Sequence, residues 1–135
     1  MNSTRTTTRI LAPAVALGAA ILLTTGGPAL AKGGGSDVRT SGSCQGVAHW
    51  KLKASPEDGR IEVEGQIDSN KAGQTWNWSL THDGLAAGSG SRKTAGASGS
   101  FEVRRVVGNW SGTDLFVFRA QRPGTQQICR GTIRF

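Results

Sequence analysis

Ala48-His49-Trp50-Lys51-Leu52-Lys53-Ala54-Ser55-Pro56-Glu57-Asp58-Gly59-Arg60-Ile61-Glu62-Val63-Glu64-Gly65-Gln66-Ile67 is the stretch that decides the fold. Ala48, Trp50, Leu52 and Ala54 alternate with His49, Lys51 and Lys53, and Ile61, Val63, Gly65 and Ile67 alternate with Glu62, Glu64 and Gln66. A period of two puts each apolar set on one face of an extended chain, which is the pattern of a half-buried strand and not of a helix. Between the two runs, Pro56, Asp58 and Gly59 are residue types suited to a tight reversal, so the pair is predicted to be a hairpin turning over Ser55–Gly59. Matching the faces requires paired residue numbers with an odd sum. A sum of 115 sets Lys53 opposite Glu62, Lys51 opposite Glu64 and Trp50 opposite Gly65, and a sum of 113 keeps the same faces. Either register interleaves lysines with glutamates, so the polar face is expected to be a ladder of ordinary ionised pairs, with the Trp50 ring over Gly65 if the first holds.

The same alternation continues toward the C-terminus. Trp76, Trp78 and Leu80 face inward from a strand over Gln74–His82, and Asp83-Gly84 supplies a two-residue turn into a short return strand, Leu85–Ala87. Gly88–Ser100 is glycine-, serine- and alanine-rich and is expected to be a mobile connection carrying the Arg92-Lys93 pair. Phe101 and Val103 start another strand whose phase slips at Arg104-Arg105-Val106-Val107, as at a bulge or a strand end. Leu115-Phe116-Val117-Phe118 reads as a central strand covered on both faces, and Cys129, Gly131, Ile133 and Phe135 form the inward row of the last strand. About seven short strands without a helical period predict an all-β fold: a single antiparallel β-sandwich.

The N-terminal third of the chain has a different character. Arg5 and Arg9 precede an apolar run, Ile10–Leu23, which ends in the small residues Ala29-Leu30-Ala31, the layout of a secretory signal peptide over residues 1–31. The run falls short of the ~20 residues that span a bilayer and contains Pro13, so release is expected in preference to a retained anchor. Residues 32–43, opening on Lys32-Gly33-Gly34-Gly35-Ser36, are expected to be a flexible tether before a domain at 44–135. In an exported chain the two cysteines, Cys44 and Cys129, read as one disulfide around nearly the whole domain.

Composition excludes several chemistries. Two histidines, two cysteines and no tyrosine leave little from which to assemble a nucleophile with its base or a closed zinc site, and His49 and His82 have no acid or cysteine at ligand spacing. Glu62 and Glu64 stand about 7 Å apart on one strand face, but nothing in the sequence suggests a cleft beside them. No catalytic residue, metal or cofactor is therefore expected. The net charge of +7 includes Arg5 and Arg9; of the 16 Lys and Arg, 14 follow Ala31 against all 9 Asp and Glu, giving +5. Such a bias favours anionic partners without conferring specificity. Nucleic acid is disfavoured, because no reader motif and no interleaving of aromatic and basic residues is present.

Seven strands with a Trp-bearing third strand resemble the immunoglobulin-like and fibronectin type III-like sandwiches. The chain departs from antibody domains in having its cysteines on the first and last strands and no tyrosine for a tyrosine corner. Ser43-Cys44, Trp50-Lys51-Leu52-Lys53, Asp58-Gly59-Arg60-Ile61-Glu62-Val63-Glu64, Gly73-Gln74-Thr75-Trp76 and Ser98–Arg105 are also similar to segments of a group of small secreted actinobacterial proteins. That resemblance implies export, one disulfide and a small all-β domain, and it carries over no functional residue. The candidate binding residues come from the pattern alone: Arg119, Arg130 and Arg134 on one outer face, with Trp110 in a loop either as a stacking platform or, the favoured reading, folded back to plug the end of the sandwich. The expected function is that of a secreted, noncatalytic module binding an extracellular surface polymer or protein. The alternative is an inhibitor or interaction protein acting through Gly88–Ser100.

Overall fold

The structure is a computed structural model and describes residues 35–135. The signal-peptide reading of residues 1–31 and the first residues of the expected tether lie outside the described residues. Eight strands follow in order: β1 (Val38–Ser43), β2 (His49–Glu57), β3 (Arg60–Asp68), β4 (Thr75–His82), β5 (Leu85–Lys93), β6 (Ser100–Gly108), β7 (Leu115–Gln121) and β8 (Ile128–Arg134). They form two antiparallel four-stranded sheets, β1-β2-β3-β6 and β5-β4-β7-β8. The inner rows meet in one core in which Leu52, Ile61, Val63, Ile67, Trp76, Phe116 and Phe118 are fully buried.

Five expectations are corrected by the structure. Order begins at Val38 and not near Cys44, because β1 pairs along the whole of its length with β2, from Val38 opposite Ala54 to Ser43 opposite His49. The β2–β3 hairpin is tighter than predicted: Glu57 pairs with Arg60, so only Asp58 and Gly59 turn, both at positive φ (48° and 78°). That is the geometry a two-residue hairpin selects, and Asp-Gly supplies it. Pro56 remains in the strand, beyond the last residue that β1 pairs, where its missing N–H removes no bond to β1. The resulting register sets Lys53 opposite Glu64 and Leu52, not Trp50, opposite Gly65.

The third correction concerns β5, which continues through Gly88 to Lys93, so the supposed mobile connection is half strand and half a tight turn at residues 95–100. Its glycines have a packing reason. Trp78 lies where side chains at Gly88 and Gly90 would project, and a Cβ on either would approach its ring to 3.2 Å. The fourth is the phase slip in β6, which is no bulge. Its pairing with β3 runs unbroken from Arg60–Gly108 to Asp68–Ser100, and Arg105 holds a place in the inward row with its guanidinium 4.8 Å over the Trp78 ring. An inward-pointing charge on an edge strand is one of the devices that blunt edge-to-edge pairing. The irregularity lies instead in β4–β5, between Leu80 and Thr81. In β7 only Phe116, Phe118 and Ala120 are buried, so that strand is covered on one face rather than two.

The two sheets are locked by reciprocal notches. Phe118 of the second sheet fills the space over Gly65 of the first, and Trp50 of the first sheet fills the space over Gly131 of the second and over Gly42. Cys44, just past β1, is bonded to Cys129 on β8, so the disulfide joins the sheets as well as the two ends of the domain.

Candidate functional site

The outer face of β5-β4-β7-β8 is built by the outward rows of four strands, and its register can be followed across the sheet. Ser89 faces Ser79, Ser79 faces Arg119, and Arg119 faces Arg130. The adjoining row is Ser91, Asn77, Gln121 and Ile128. Two arginines therefore stand directly opposite each other in a field of hydroxyl and amide groups. Arg119 Nη2 donates to Gln121 Oε1 at 2.9 Å and Arg130 Nη1 to Thr132 Oγ1 at 3.5 Å, and neither meets a carboxylate among the described residues. Arg134 lies further along β8, opposite Leu115, about 13 Å from Arg130 at the usual strand rise. Arg92 and Lys93 end β5. No strand of this sheet contains an acidic residue.

Trp110 does not join that face. It lies in the β6–β7 connection, where its ring stacks on His82 with centroids 3.8 Å apart and planes 16° from parallel, leaving the residue 45% exposed. His82 is the last inward residue of β4, 3% exposed, and its other ring face meets Phe116 at 4.5 Å. No acid stands at ligand spacing from His82 in the sequence, but the fold brings one: His82 Nε2 is hydrogen-bonded to the buried Asp114 Oδ1, which also accepts the Trp110 backbone N–H at 3.3 Å. Asp83 closes the corner by accepting the Leu115 N–H at 2.9 Å. His82, Asp83 and Asp114 each offer an atom within 4.8 Å of the others, and these hydrogen bonds already engage them as a structural cap on the sandwich end. No local signal announces this trio, because Asp114 comes to His82 only when β7 pairs with β4.

The outer face of β1-β2-β3-β6 is built differently. Lys53 Nζ meets Glu64 Oε2 at 3.1 Å, and Arg104 from β6 meets Glu64 Oε1 at 2.6 Å and Glu62 Oε2 at 3.2 Å. The two glutamates are not the ordinary ionised pair that the alternation suggested. Burial raises the Glu62 carboxyl above its usual range, aided by a hydrogen bond to Glu64 and opposed by the Arg104 charge. Glu64 is held below its usual range, because the bonds from Arg104 and Lys53 outweigh its own burial. A groove of about 270 Å³ lies beside Glu64 on the same face. Among the described residues no helix is long and apolar enough to cross a membrane.

No protein-family model, no curated protein and no solved structure matches the chain.

Proposed function

We propose that the protein is a noncatalytic extracellular module that holds an anionic surface polymer against the outer face of β5-β4-β7-β8. One observation carries the reading. The first sheet's strands hold Arg39, Lys51, Lys53, Arg60, Arg104 and Arg105 against Glu57, Glu62, Glu64, Asp68 and Glu102, whereas the second sheet's hold Arg92, Lys93, Arg119, Arg130 and Arg134 against no acid. The positive excess of the strands thus gathers on the second sheet, where Arg92 shares the side of Trp76 while Lys93, Arg119, Arg130 and Arg134 take the outer face. There the Arg119–Arg130 pair brings like charges together, which is unfavourable until an anion lies between them. Guanidinium groups suit this role, because each presents a planar fork to a carboxylate or phosphate. The serines, threonines and amides around them add neutral hydrogen-bonding groups that a hydroxylated polymer can use.

The scaffold supports an immunoglobulin-like reading. Taking β2, β3, β4, β6, β7 and β8 as strands A, B, C, E, F and G reproduces the A-B-E and C-F-G neighbours of that sandwich, with β5 beside C and β1 added outside A. The inhibitor reading loses its mobile loop, since β5 occupies half of Gly88–Ser100.

Co-sedimentation with purified cell walls of the source organism, at low and at high salt, tests the proposal. Binding that falls with salt but keeps a fraction sensitive to Arg119→Gln with Arg130→Gln supports a shaped anion face. Binding indifferent to that double substitution rejects it.

A further inference from the structure

The groove on the opposite sheet is a second place where the chain is built to receive something, and it is independent of the arginine face. Its floor follows from the register: Ser41 faces Lys51, Lys51 faces Gln66, and Gln66 faces Glu102. With the short Ser41 at its end, this row leaves a depression of about 270 Å³ beside the taller row Arg39, Lys53, Glu64 and Arg104. In that taller row every charge is engaged: Arg39 with Asp37, and Lys53 and Arg104 with Glu64. Those side chains are tied in place and do not fill the depression.

Lys51 and Glu102 are the exception. Both are exposed, both line the groove, and neither makes an ion pair among the described residues. Gln66 stands between them, so their backbones are two strand spacings apart, about 9.5–10 Å. A cationic wall on β2 and an anionic wall on β6 thus face each other across a neutral floor. A single charge of either sign is attracted by one wall and repelled by the other. A ligand carrying a carboxylate at one end and an ammonium at the other satisfies both at once, provided its charges stand several ångströms apart.

From this geometry we infer that the groove binds a short zwitterionic peptide with free termini, its C-terminal carboxylate at Lys51 and its N-terminal ammonium at Glu102. Two or three extended residues span about 7–11 Å, which matches the separation of the walls. The amide of Gln66 lies where the peptide backbone crosses, and it both donates and accepts hydrogen bonds. Affinity is expected in the millimolar range, since the site is open and its charges are solvated.

The test is a titration of trialanine into isotopically labelled protein, followed by amide chemical shifts, beside N-acetyl-trialanine and trialanine amide. The expected result is a set of shifts confined to the amides around Ser41, Lys51, Gln66 and Glu102, saturating with trialanine and at least about tenfold weaker with either blocked peptide. Lys51→Gln is expected to bind trialanine and its amide equally, and Glu102→Gln to bind trialanine and its N-acetyl form equally. Both positions are exposed, and the spectrum outside the groove reports whether the fold is kept. Arg119→Gln with Arg130→Gln is expected to leave the titration unchanged, which separates this site from the polymer face. No shifts at about 10 mM trialanine, equal shifts with the blocked peptides, or shifts centred on Arg119 and Arg130 each overturn the assignment.

Discussion

The two outer faces of this sandwich use the same kinds of side chain to opposite ends. On β1-β2-β3-β6, Arg39 stands opposite Lys53 but each has a carboxylate partner, and Lys53, Glu62, Glu64 and Arg104 close into one network. On β5-β4-β7-β8, arginines face arginine, serine and leucine, with no carboxylate on any strand. The network of the first face satisfies its charges internally and gains little from a counter-ion, with Lys51 and Glu102 outside it. The second leaves them unsatisfied and gains from one. Net charge alone shows none of this, because the excess becomes a property of one surface only when strand order sorts the residues.

The largest effect is expected where the faces are joined. Cys44→Ser with Cys129→Ser releases an 85-residue separation and is expected to cost about 4.6 kcal/mol by loop-closure entropy, read as a lower midpoint in urea. An unchanged midpoint would mean that the aromatic notches alone hold the two sheets in register. Those notches come next. A Cβ at Gly131 would lie 2.5 Å from the Trp50 ring, so Gly131→Ala is expected to cost about 1–3 kcal/mol through overpacking. Near-wild-type stability would place the indole elsewhere in solution.

The paired face also has a pH signature. Folding favours the protonated form of Glu62, whose carboxyl is raised. Its contribution is therefore complete below the ordinary carboxylate value and is lost as pH rises through the raised one. Glu64 is depressed, so its contribution is present above the ordinary value and is lost as pH falls through the lowered one. Glu62→Gln keeps a donor toward Glu64 and removes the ionisation. Its stability relative to the unaltered protein is expected to improve between about pH 4.5 and about pH 7.5, measured by urea unfolding at both. A difference that does not change with pH would place Glu62 in water.

The smallest effect sharpens the contrast most directly. Arg119→Gln relieves a like-charge pair and is expected to gain about 0.2–1 kcal/mol, whereas Arg104→Gln is expected to destabilise, because it leaves Glu62 and Glu64 together without their shared cation. The same sign for both substitutions in thermal melts would erase the distinction between the faces.

Much of this architecture was legible in the chain. The alternation around Trp50, Val63, Trp78 and Ile133 exposes the inner rows, because burial on one face of a strand forces period two. The disulfide followed from the expectation of export and from the cysteine count. Less legible were features settled by long-range pairing. Nothing local distinguishes a five-residue turn from Asp58-Gly59 alone, and the small residues of β5 read as loop until Trp78 is seen covering Gly88 and Gly90. Arg105 looked like a broken pattern because its partner, the Trp78 ring, comes from the other sheet. Of the candidate site, alternation puts the arginines of β7 and β8 on the outer rows, but their direct opposition depends on register, and the contacts of Trp110 with His82 and Asp114 join elements that no local pattern connects.

The measurement that bears most directly on the anion face compares two charge-matched double variants in the same cell-wall co-sedimentation. Arg119→Gln with Arg130→Gln removes two charges from the second sheet, and Arg60→Gln with Lys71→Gln removes two exposed charges outside it. At moderate ionic strength, the first pair is expected to lose most of the bound fraction and the second pair to retain it. Equal losses would show that net charge, and not the arrangement on β7 and β8, drives retention, and would contradict the account.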